Sequence, residues 1–133
     1  MDLATTLMKQ ERFAHARKAL ERAVEMDPKL ALGHERLGYC LFRKHDYDAA
    51  LEHYRLAVEL GPGKAESHAG LGVVYMATYL EQPEKMELRR QAVDCWCRSL
   101  QIKSDQPKIR NLIDKYQLKT DNPVAAMLNS ESP

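Results

Sequence analysis

Apolar residues recur along this chain at helical spacing, and the runs are cut by short clusters rich in Pro, Gly and Asp. Phe13, Ala16, Leu20, Ala23 and Val24 form one stripe, ended by Asp27-Pro28. The next helix, from Leu30 to Lys44, carries His34, Leu37, Gly38 and Leu41 on one face. His45-Asp46-Tyr47 then makes a turn, with Asp46 a candidate N-cap, and the following helix stops at Gly61-Pro62-Gly63. Ser104-Asp105-Gln106-Pro107 breaks the chain again. Ile109, Leu112, Ile113 and Tyr116 mark the apolar face of a last helix over 107–118. The chain opens with a short helix from Asp2 that turns at Glu11-Arg12-Phe13, so the pattern predicts seven helices and no sheet. Residues 119–133 are expected to be a mobile tail, although Asn122-Pro123 and the run Val124 to Leu128 suit a short helix if something receives it.

The stripes repeat one another at an interval of 34 residues. Leu37-Gly38, Leu41, Ala50, Tyr54, Ala57 and Pro62 echo forward as Leu71-Gly72 and Tyr75, and backward as Leu3-Ala4, Leu7, Ala16, Leu20, Ala23 and Pro28. The pattern of Leu-Gly, then an aromatic or Leu, then Ala, an aromatic and Pro resembles the tetratricopeptide repeat. The resemblance implies an all-α, right-handed solenoid of helical hairpins closed by a C-terminal capping helix. Its repeats fall at about 1–30, 31–64 and 65–104, with the cap at 107–118, giving one domain over 1–118. The second repeat matches best. The third carries an insertion: Leu41 to Ala50 is nine steps, whereas Tyr75 to Ala92 is seventeen. Eight extra residues are roughly one turn for each helix, which keeps the apolar stripes facing. Two lengthened helices joined near Gln82-Pro83 are therefore expected, with Trp96 standing where Tyr54 stands and Ser99 where Ala57 stands.

At 133 residues the chain has room for a single core, and 44% hydrophobic content is enough to drive its folding. Lys and Arg number 20 against 19 Asp and Glu, so the formal charge of +1 argues against a nucleic-acid binder. No stretch approaches the roughly 20 apolar residues that span a bilayer, and no secretory signal is visible. Cys40, Cys95 and Cys97 cannot all pair within one chain, which points to reduced thiols and a cytoplasmic location.

Little in the chain suggests catalysis. His34-Glu35 begins a zinc-protease motif, but Gly38 occupies the second histidine position. His34 and His68 are equivalent in consecutive repeats and read as packing histidines, and His15, His45 and His53 as helix-surface or turn residues. Cys95-Trp96-Cys97 has one intervening residue, where redox and zinc motifs need two. No enzyme activity, metal or cofactor is expected.

A binding surface is more legible. The face of the second helix turned away from its hairpin holds Leu32, Glu35, Arg36, Tyr39, Phe42 and Arg43. Its equivalents are Glu66, Ala69, Gly70, Val73, Met76 and Ala77 in the third repeat, and Asp2, Thr5, Met8 and Lys9 in the first. In proteins of the resembled family such faces line the concave groove. Tyr39, Phe42, Val73 and Met76 are large apolar groups on a face the hairpin core does not need, the mark of an interaction site. The expected function is that of an adaptor or scaffold whose groove takes an apolar or amphipathic peptide segment of another protein. One subgroup of the family grips acidic chaperone tails with Lys, Asn and Arg; here the matching positions are Met1, Thr5, Arg36, Glu66 and Gly70, and Glu66 reverses the required charge. The alternative is self-association, or service as a structural subunit of a larger assembly, because a short first helix leaves Leu3, Leu7 and Phe13 to be covered.

Overall fold

The computed structural model describes residues 3–117, apart from the side chains of residues 5–8, and within that span every regular element is a helix. In chain order these are α1 (Leu3–Met26), α2 (Ala31–Arg43), α3 (Tyr47–Leu60), α4 (Ala65–Glu81), α5 (Met86–Ile102) and α6 (Pro107–Gln117). Packing follows the repeat. α2 pairs with α3 and α4 with α5, α3 and α4 join the two hairpins, and α1 and α6 close the ends. Leu118 and the tail at 119–133 lie outside the described residues, as does Asp2.

Local chemistry explains the turn between α2 and α3. His45 takes a positive φ of 62°, a conformation that His adopts more readily than bulky or branched residues. Asp46 then caps α3, its Oδ1 accepting the backbone N–H of Ala49 at 3.4 Å. The first repeat lacks both devices, and the expected turn at Glu11-Arg12-Phe13 is absent. α1 runs unbroken through 24 residues, so six helices are described where seven were expected. The cause is readable in retrospect. Glu11 and Arg12 stand where His45 and Asp46 stand, and Met8 to Arg12 are all strong helix formers with no capping residue among them.

In the third repeat α4 and α5 each reach 17 residues, against 13 in α2 and 14 in α3. They meet across Gln82–Lys85. Pro83 lies in that turn, as the expected join near Gln82-Pro83 requires, and α5 begins at Met86.

The core gathers around two aromatic side chains in equivalent places, Tyr54 and Trp96, with Val74, Tyr75, Met76, Ala92 and Ile113. Ala50, Ala57 and Ala92 are fully buried, which lets the helices approach closely. α6 is tied on by Ile113, by the tilted packing of Tyr116 on Trp96 at 6.1 Å, and by polar bonds at its start. There the Gln106 side-chain amide donates to the carbonyl oxygens of Ser99 and Lys103 at 3.1 and 2.8 Å, satisfying the C-terminal end of α5. Ser99 in turn donates its hydroxyl to the Ala65 carbonyl at 2.8 Å.

Candidate functional site

An open cavity of about 620 Å³ lies against α2 and the start of α4. Five of the residues expected on the groove line it: Leu32, Glu35, Arg36 and Tyr39 from α2, and Glu66 from α4. Tyr39 is 48% exposed, unusually open for an aromatic ring. Lys64, Ile102 and Lys103 complete the rim, and Tyr54 borders the cavity from below. Pattern reading assigns Tyr54 to the core and overlooks the last two, because the end of α5 reaches this face only through tertiary packing.

Tyr54 reaches the groove through a slot. It springs from α3, behind the groove, and its ring passes between Gly38 of α2 and Gly70 of α4. A Cβ on Gly38 would sit 2.9 Å from the ring, and a Cβ on Gly70 would fall on its outer edge. Two residues without side chains therefore let a phenol cross the helix layer. Although only 5% of Tyr54 is exposed, its hydroxyl borders the cavity and has no hydrogen-bond partner among the described residues. Burial raises its pKa above the ordinary 10, and the nearby Glu35 carboxylate adds to the effect.

Charge in the cavity is mixed. The pKa of Glu35 is raised, first by burial and then by the Glu66 carboxylate, while Lys64 and Arg36 act in the opposite sense. Neither glutamate belongs to the ion pairs seen among the described residues, which are Arg17–Glu21 and Arg90–Glu87.

The remaining groove residues scatter. Phe42 is half-buried, its ring 5.6 Å from that of Tyr47, and it braces the α2–α3 hairpin as well as facing outward. Val73 is half-buried and Gly70 is taken up by Tyr54. Met76 corrects the expectation of an open apolar group: at 4% exposure it belongs to the core. α4 is packed against both α3 and α5, so its outward stripe is open at Glu66 but closes over Met76. Lys9 and Arg43 also leave the groove. Because α1 continues straight, they line a separate cavity of about 530 Å³ with Gln10, Phe13 and Lys44, and the Arg43 guanidinium lies 5.9 Å from the Phe13 ring centroid. Thr5 and Met8 fall within α1, and their side chains lie outside the described residues.

Histidines serve the scaffold. His34 and His68 are 6% and 7% exposed, and each donates Nε2–H to a carbonyl six residues back, Pro28 and Pro62, at 2.8 Å. That bond leaves the neutral His34 ring with a bare Nδ1, which accepts from Nδ1–H of His53 at 3.1 Å. The ring centroids lie 5.3 Å apart, so the two nitrogens meet nearly head-on. His53, expected at a helix surface, is thus half-buried in the α2–α3 seam; its place one residue before Tyr54 was the available signal. Burial lowers its pKa below the usual 6.5 and His34 lowers it further, against Glu52 and Glu21, which raise it. Its neutral form is the one the fold prefers, so this contribution to stability is complete above about pH 6.5 and is lost as pH falls through the depressed value. The melting temperature is expected to drop on acidification from pH 8 to 5, and His53→Gln to flatten that decline. Equal slopes for the two proteins would show that the pair is not coupled to folding.

No group of three or more His, Cys, Asp or Glu among the described residues is arranged to hold a metal ion. No helix among them is long and apolar enough to cross a membrane. The cysteines are unpaired; burial raises the thiol pKa of Cys95 to about 11, far from a reactive nucleophile.

Comparison with known proteins agrees with this architecture. The family model of the tetratricopeptide repeat matches residues 1–65. Among solved structures, the first such domain of Spaghetti (RPAP3), bound to the HSP90 peptide SRMEEVD, superposes with a TM-score of 0.71 at 17% identity, over 86% of this chain and 84% of that one. YrrB, described as a tetratricopeptide-repeat protein with an unusual peptide-binding site, gives 0.65 at 26% identity over 83% of this chain and 53% of its own. MamA gives 0.66 at 18% identity, over 85% and 61%. The chain thus spans only about half to three-fifths of the last two. No curated protein sequence matches it. Residues 1–65 thus carry the tetratricopeptide-repeat signature, and the chain has the all-α solenoid fold of such repeats across its described residues.

Proposed function

We propose that this protein is an adaptor that holds a peptide segment of a partner protein in the cavity between α2 and α4. The observation that carries this reading is the cavity of about 620 Å³ itself, open and lined by exposed Tyr39, Leu32 and Ile102 together with Glu35, Glu66 and Tyr54. Aromatic and aliphatic rims of this kind supply the area that anchors a bound chain, while polar groups orient it. Support comes from the Spaghetti (RPAP3) domain, whose structure contains a bound peptide. The adaptor acts without catalysis and in the cytoplasm, where three unpaired thiols are stable.

Selection from a displayed library of random 12-residue peptides tests the proposal. Selected peptides are expected to bind at about micromolar affinity, and Tyr39→Ala to weaken them by about 2 kcal/mol, or roughly thirtyfold, with an unchanged circular dichroism spectrum. Phe42→Ala is the less informative change, because that ring also braces the hairpin. Binding that survives Tyr39→Ala places the partner surface elsewhere.

A second reading, self-association, is favoured by one observation. α1 exceeds α2 by 11 residues, about 16 Å of helix, and Leu3 near its start is 73% exposed. Sedimentation velocity over a concentration series separates the two readings.

A further inference from the structure

We infer that the groove is built to receive a cationic side chain, so that the preferred partner peptide carries an arginine or lysine beside an apolar residue. This inference rests on the groove reading above and adds the chemistry of its central contact. Three independent observations converge on one cavity. Glu35 and Glu66, from successive helices, face it without an ion pair among the described residues, close enough for Glu66 to disfavour ionisation of Glu35. The buried Tyr54 phenol is delivered to the same cavity through the Gly38–Gly70 slot, and its oxygen has no partner there. Tyr39 and Leu32 supply an exposed apolar wall alongside.

These features share one requirement. Two carboxylates held together repel, and a cation between them relieves the repulsion while gaining charge-assisted hydrogen bonds. The lone pairs of the Tyr54 oxygen accept a further N–H of a guanidinium or ammonium group. The aliphatic stem of arginine or lysine packs along Tyr39 and Leu32, as such stems do on apolar surface. An anionic side chain would meet Glu35 and Glu66 instead. Arg36, Lys64 and Lys103 stand around the same cavity, none of them in an ion pair with Glu35 or Glu66 among the described residues. They are placed to hold an acidic or backbone carbonyl group flanking the cation. A single charge pattern, basic at the centre and acidic beside it, follows for the peptide.

The test uses the full chain and the E35Q/E66Q variant, whose side chains are nearly isosteric with the originals. Random 12-residue peptides selected on the wild-type protein are resynthesised with each basic residue replaced by norleucine, and affinities are measured for both proteins. Arginine or lysine is expected to be enriched at one position, and its replacement to weaken binding about tenfold. E35Q/E66Q should lose the same factor for the basic peptide and nothing for the norleucine peptide, with a melting temperature no lower than that of the wild type. The basic peptide should also lose affinity as pH falls through the raised pKa of Glu35, above the usual 4.5, whereas the norleucine peptide should not. Selected peptides that depend on Tyr39 but show no basic position, or bind E35Q/E66Q equally well, overturn the inference and leave the groove reading standing. Failure to select any peptide overturns both.

Discussion

Trp96→Ala is expected to cost about 3–5 kcal/mol of folding stability, the largest loss from any single truncation in this chain. Trp96 is the only tryptophan and is 1% exposed. It fills the space between α4, α5 and α6, in a cluster with Val74, Ala92 and Ile113, and Gly72 leaves room for the indole edge. Truncation opens a cavity that three helices cannot easily close. It also removes the ring against which Tyr116 packs, so α6 should loosen before the rest of the solenoid. The indole Nε1 has no hydrogen-bond partner, so Trp96→Phe sheds volume without orphaning an acceptor and should cost about 1–2 kcal/mol. Urea denaturation followed by circular dichroism at 222 nm measures both, since the variants lack the fluorophore. A loss below about 1 kcal/mol for the alanine variant would mean that α6 does not close the core.

Gly70→Leu is expected to destabilise by about 3 kcal/mol and to abolish the groove cavity at the same time. Its Cβ would fall on the outer edge of the Tyr54 ring, which is held on its other side by Gly38. Overpacking of this kind typically costs about 1–3 kcal/mol, occasionally more, and here neither helix can retreat without breaking the α3–α4 contact. Leucine gains about 1 kcal/mol in helix propensity over glycine, which only partly offsets the clash. Gly38→Leu meets the same ring and should cost a comparable amount. At Gly63 a Cβ meets nothing within 4 Å, so Gly63→Ala is the control and should change stability by less than about 0.5 kcal/mol. Thermal melts of the variants decide the matter. Equal melting temperatures for Gly70→Leu and Gly63→Ala would show that Tyr54 does not occupy the slot.

Much of the fold was legible because the repeat pattern is local. Leu37-Gly38, Ala50 and Tyr54 sit at offsets that a pair of antiparallel helices imposes, and breakers such as Gly61-Pro62-Gly63 mark where each helix stops. The lengths of α4 and α5 could likewise be counted, since an insertion of eight residues must be shared between two helices whose stripes face. The missing turn in α1 shows where this logic stops. A repeat pattern marks where a turn falls in its best copies, but only a capping residue and a backbone that tolerates positive φ make it, and Glu11-Arg12 offers neither where His45-Asp46 offers both.

The candidate site divides in the same way. Periodicity placed Leu32, Glu35, Arg36, Tyr39 and Glu66 on one face, and the cavity gathers all five. Periodicity could not reveal that Met76 is buried, because a stripe looks the same whether it meets water or a neighbouring helix. Nor could it bring His53 to His34, or carry the Tyr54 hydroxyl across the helix layer, since these pairings join residues 19 and 16 apart through the approach of separate helices. Composition and period determined that this chain is a helical solenoid and which residues share a helix face. What the groove contains was decided by tertiary packing, because burial, charge proximity and an unpartnered hydroxyl are properties of the space between helices and not of any helix alone.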